Sequence, residues 1–64
     1  MKETEFTAVY GLRSGQVRVL YKPFFGDDRY VMDFNNYTDA YAMAELVDMA
    51  GLTKWELIDL GFEL

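Results

Sequence analysis

Apolar and polar positions along this chain switch from a period of two to a period near 3.6 at its middle. Residues 5–12, Glu-Phe-Thr-Ala-Val-Tyr-Gly-Leu, alternate: Phe6, Ala8, Tyr10 and Leu12 point one way, Thr7 and Val9 the other. Ser14-Gly15 reads as a two-residue hairpin turn into a second strand over 16–24. That turn sets Leu12 opposite Val17, Tyr10 opposite Val19 and Ala8 opposite Tyr21. Gly26-Asp27 supplies a second turn, with glycine at the first central position of a type II′ geometry. It sets Tyr21 opposite Met32, Val19 opposite Phe34 and Pro23 opposite Tyr30. One face then stays apolar across all three strands, which predicts an antiparallel meander. The other face is mixed and carries Thr7, Val9, Arg18, Leu20, Lys22, Phe24, Val31 and Asp33.

From Thr38 to Ala50 the pattern is helical and rich in alanine. Tyr41, Glu45 and Asp48 form the polar side, and the apolar residues sweep an arc of about 220°, against the roughly 100° stripe of an ordinary surface helix. Cover from two directions is therefore expected, the sheet on one side and the C-terminal segment or a second protein on the other. Asn36 or Thr38 caps the start, and Gly51 closes the end. Thr53-Lys54-Trp55-Glu56 is a capping box for a shorter helix through Leu60, ended by Gly61. Trp55 is placed to cover the core edge, and Phe62 and Leu64 to fold back on the core. The fold class is α+β over a single domain, residues 1–64: a three-stranded antiparallel meander followed by a long and a short helix packed on one face.

Composition changes this picture in two ways. At 64 residues the chain has a small core, and with no cysteine or histidine it has no disulfide, thiolate metal site or imidazole base to draw on. Ser14 falls at a turn and Thr38 and Thr53 at cap positions, and Asp27-Asp28 lack the ligand spacing of a calcium loop. The expectation is a non-enzyme with no cofactor, metal or catalytic residue. Charge is also divided unevenly. Residues 1–36 carry five basic and five acidic side chains, whereas residues 37–64 carry one lysine against six carboxylates, so the whole net charge of −5 lies in the helical half.

That asymmetry argues against nucleic acid as a direct partner. Leu46 to Leu57 resembles the middle of a helix-turn-helix, with glycine in the turn, but its second helix presents Glu56 and Asp59 beside Lys54, and phosphates would repel it. A protein with a basic surface is the expected partner. Asp39 sits in the first helical turn and Glu56 in the capping box, which leaves Glu45, Asp48 and Asp59 without a structural task. With Tyr41 they form the candidate partner-binding set. The alternative set is the mixed sheet face: Leu20, Phe24, Val9 and Val31.

In profile the chain resembles the small acidic inhibitors that phages and other mobile elements encode against host enzymes or defence complexes, some of which present carboxylates in place of nucleic-acid phosphate. The resemblance is one of size and charge and covers no motif. It implies a protein-binding inhibitor working in the cytoplasm, the host's if phage-encoded. The absence of an apolar leader or spanning run agrees with a location away from membranes. A homodimeric structural or assembly protein, or an antitoxin-like regulator, is the alternative.

Overall fold

A computed structural model of the chain describes residues 5–23 and 28–64. Three antiparallel strands, β1 (Phe6–Gly11), β2 (Val17–Lys22) and β3 (Tyr30–Phe34), lie in the order β1-β2-β3. Two helices follow, α1 (Tyr37–Ala50) and α2 (Lys54–Leu60), and the expected α+β meander with helices on one face is what forms. The Gly26-Asp27 turn and Phe24 lie outside the described residues.

The first hairpin departs from the expected register by one residue. Gly15 donates to the Leu12 carbonyl at 3.0 Å and Leu12 to the Gln16 carbonyl at 2.7 Å, which closes a three-residue loop rather than a two-residue one. The reason is backbone sterics. A type I′ turn on Ser14-Gly15 would force Ser14 into the left-handed region. In the longer loop Gly15 alone takes a positive φ, +95°, and no residue other than glycine has one among those described. Gly11 consequently pairs with Val17, Val9 with Val19 and Thr7 with Tyr21. A slip of one residue exchanges the two faces of a strand. Thr7 and Val9 therefore turn toward the helices, and Phe6, Ala8 and Tyr10 turn away.

The second pairing is shifted by two residues, which preserves the faces: Val17 meets Phe34, Val19 meets Met32 and Tyr21 meets Tyr30. The core of Val17, Val19, Tyr21, Tyr30, Ala40, Ala44, Val47, Leu57 and Phe62 thus joins one sheet face to both helices, with Val9, Met32, Phe34, Met43 and Leu52 packed against it.

Asn36 caps α1, its side-chain oxygen accepting from the Asp39 amide at 2.8 Å, and Gly51 ends the helix at φ +60°. The buried stripe of α1 is narrow, Ala40, Ala44 and Val47. Alanines let the helix axis approach the sheet closely, and Gly11 lets the Tyr37 hydroxyl lie over β1, where a Cβ would come within 2.9 Å of it. The expected second cover of the apolar arc is not supplied by the described residues. Ala42, Leu46 and Met49 stay exposed, Met49 at 81%. Instead of lying over α1, α2 buries Leu57 in the core and brings Gly61 against the Met32 side chain.

The capping box at Thr53 forms in both directions, Thr53 amide to Glu56 carboxylate at 2.8 Å and Glu56 amide to Thr53 hydroxyl at 3.3 Å. At the other end Gly61 donates to Ile58 and Phe62 to Leu57, at 3.0 and 3.1 Å, the paired bonds of a left-handed glycine cap. This carries Phe62 into the core and sets Glu63 beside β3, where it exchanges both backbone bonds with Val31 at 2.7 and 2.9 Å. Trp55 does not cover the core edge; it is 71% exposed, with the Lys54 ammonium 5.6 Å from its ring centre. Leu64 is likewise exposed, because the bridge at Glu63 directs the chain along the sheet edge.

Tyr21 is almost fully buried, so Tyr21→Ala is expected to cost about 3–5 kcal/mol in chemical denaturation and to leave little folded protein. Thr53→Ala is expected to cost about 1 kcal/mol, read as a shift in denaturation midpoint at unchanged slope.

Candidate partner-binding surfaces

Three of the four residues in the acidic set share one flank of α1. Tyr41, Glu45 and Asp48 line an open depression of about 540 Å³ together with Thr38, Ala42 and Ala44. Helical spacing explains this, since residues four and seven positions apart return to nearly the same side. Tyr41 is 58% exposed and stacks on Tyr37, their ring centres 5.9 Å apart and their planes 28° from parallel. Asp59 stands apart on α2. It lines a separate depression with Leu46, Leu52, Glu56 and Leu60 on the other side of α1.

Asp48 has a structural task that its sequence position does not reveal: it accepts a hydrogen bond from the Thr7 hydroxyl of β1. The inward turn of Thr7 makes this bond, so it follows from the register of the first hairpin. Next to Thr7, the Tyr21 hydroxyl donates to the Glu5 carboxylate at 2.8 Å. The Tyr21 phenol is pushed up to about 12, first by burial, then by the Glu5 hydrogen bond and the negative charges of Glu5 and Asp48. Burial, with the charge of Asp28, also raises the Tyr30 phenol. Of the acidic set, Glu45 and Asp59 are the exposed carboxylates without a hydrogen bond among the described residues.

The sheet face turned away from the helices differs from the expected one. Leu20 and Val31 lie on it, half-buried. Val9 does not, because the register change turns it toward the core. In its place come Phe6, Ala8 and Tyr10, with Phe6 and Tyr10 both about two-fifths exposed, at 39% and 40%. Arg18 and Asp33, directly opposite across β2 and β3, form a two-point ion pair at 2.8 and 3.1 Å. The guanidinium holds the Asp33 carboxyl below its usual range. The Arg29 guanidinium lies 6.0 Å from the centre of the Phe6 ring. Cations and rings here neutralise or cover one another, whereas the outer side of α1 combines uncovered carboxylate and apolar side chains.

Among the described residues no group of three or more aspartate, glutamate, histidine or cysteine side chains is arranged to hold a metal ion, and no helix is long and apolar enough to cross a membrane. Comparison with known protein families, curated proteins and solved structures finds no match.

The Tyr21 environment has a pH signature. Its folded pKa lies above the unfolded value near 10, so its contribution to stability is complete below about pH 10 and is lost as pH rises toward 12. An ultraviolet phenolate titration is expected to show late phenolate formation, with Tyr21 near pH 12, whose amplitude Tyr21→Phe reduces while the raised Tyr30 phenol still contributes. A Tyr21 phenol that titrates near the ordinary value of about 10 would show that it is neither buried nor held by Glu5.

Proposed function

We propose that this protein is a non-enzymatic binding module whose outer α1 surface, extended by Asp59 of α2, engages a basic surface on another protein. The observation that carries this reading is the uncovered outer side of α1. Glu45 and Met49 lie along its middle, with Tyr41, stacked on Tyr37, on one flank and Leu46 on the other, exposed apolar groups on both sides of a carboxylate and no element laid across them among the described residues. Exposed aromatic and apolar anchors rimmed by charge are the composition of a protein-binding patch rather than of a solvated helix. The net charge of −5, all of it in the helical half, supports a basic partner and fast, salt-sensitive association.

Within that reading, the finer role is inhibition of a host enzyme or nucleic-acid-binding complex, of the phage or anti-defence kind, with Glu45 and Asp59 standing where the target accepts phosphate. The site of action is then the cytoplasm. Asp48 is a support for β1 rather than a contact, since its carboxylate is engaged by Thr7.

The test is a pair of affinity captures from lysate of the source organism or its host, one with the parent protein and one with Glu45→Lys/Asp59→Lys. Both positions are exposed, so the melting temperature is expected to change little. A basic protein held by the parent in low salt should be retained more than tenfold less by the reversed variant. Equal retention by both, with loss on Leu20→Asp, would move the interface to the sheet.

A further inference from the structure

We propose that two copies of this chain join edge to edge through β1, antiparallel about a two-fold axis at Val9, into one continuous sheet. Backbone geometry is the first ground. The Leu12-to-Gln16 bond fixes the phase of the first ladder. Alternation then spends the N–H and C=O groups of Phe6, Ala8 and Tyr10 on β2 and turns those of Thr7, Val9 and Gly11 outward. The same alternation carried across the sheet turns Val31 outward on β3, and Val31 does bond outward, to Glu63. One sheet edge is therefore engaged by the chain's own tail, while nothing among the described residues pairs with the other. Native edges are normally blunted by lysine, proline or a bulge. β1 has no charged residue, no proline and an unbroken register over Phe6–Gly11.

The second ground is that β1 is complementary to itself in this register. The axis at Val9 sets Thr7 of each copy opposite Gly11 of the other, so all three outward residues are bonded; a slip by two residues in either direction pairs only two of them within the strand. On the outer face Ala8 meets Tyr10 and Phe6 meets Leu12, small against large and apolar against apolar. At the two ends Glu5 of one copy lies toward Arg13 of the other, opposite charges in mirrored positions.

The third ground lies in the helix layer, which the same strand register brings into contact. Tyr37 sits over Gly11 and Asp48 bonds Thr7, so α1 runs antiparallel to β1 along its edge. The axis that exchanges Thr7 with Gly11 therefore brings Tyr37 of one copy to Asp48 of the other, a phenol donor to a carboxylate. A closed two-fold interface requires self-complementarity of this kind. The dimer places the flank of Tyr37, Tyr41 and Asp48 toward the other copy and leaves Leu46, Met49 and Asp59 facing outward, and it does not rest on the partner proposed for them.

Light scattering on a sizing column is expected to give twice the 7.5 kDa chain mass at high micromolar concentration. Amide exchange followed by NMR should show Thr7, Val9 and Gly11 protected in the dimer and fast on dilution. Val9→Pro, which removes an N–H that the monomer does not use, should give a monomer. If that variant fails to fold, Arg13→Glu in the exposed turn serves instead, expected to weaken the dimer about tenfold by opposing Glu5 at both ends. A chain monomeric up to millimolar concentration overturns the proposal. So does a dimer whose Val9 amide exchanges freely and which Arg13→Glu leaves unchanged, since it would use another face.

Discussion

The left-handed backbone at Gly15 decides more of this structure than any side-chain contact. A hairpin loop that places glycine alone in that region needs three residues, and the three-residue loop sets the phase of β1 against β2. Phase in a sheet is a choice between faces. With Thr7 and Val9 inward, β1 presents to the helices a hydroxyl, a branched methyl pair and, at Gly11, a gap. Each has a counterpart in α1 or the core: Asp48 for the hydroxyl, the core cluster for Val9 and the Tyr37 ring for the gap.

The helix layer answers the same demand for close approach. Ala40 and Ala44 bring α1 down on the sheet, and the buried stripe stays narrow because small side chains leave the flanks clear of it. The apolar groups outside the stripe would be covered if α2 lay across α1. The tail prevents that. Phe62 enters the core and Glu63 joins the edge of β3, so the end of α2 is held beside β3 on the same sheet face as α1, and α1 keeps an open outer surface. Edge protection on β3 and exposure on α1 are thus two results of one placement of the last residues.

Polar groups at the β1 side of the core are few and committed. Tyr21, Glu5, Thr7 and Asp48 form two hydrogen bonds at the margin of the core, where a phenol and a hydroxyl donate to carboxylates that remain in contact with water. Burial strengthens such bonds and makes an unpaired member costly. This explains why Asp48, which helical periodicity groups with solvent-facing Glu45, belongs instead with the structure.

The sequence by itself determined the number, order and type of elements, because these depend on local signals: alternation over short runs, an alanine-rich helical period, the Thr53–Glu56 capping box and the glycines after each helix. It also determined the faces of β2 and β3, since a shift by two residues leaves alternation intact, and it showed that the net negative charge lies in the helical half. Only the tertiary structure decided the phase of β1, because Ser14-Gly15 fits a two-residue turn in composition and a three-residue loop in backbone sterics, and the two differ by the one residue that exchanges faces. Val9 moved to the core and Tyr10 to the outer face for that reason. The bond between Thr7 and Asp48 and the bridge between Val31 and Glu63 join residues far apart in the chain. Such pairings depend on where whole elements pack, which no local pattern encodes.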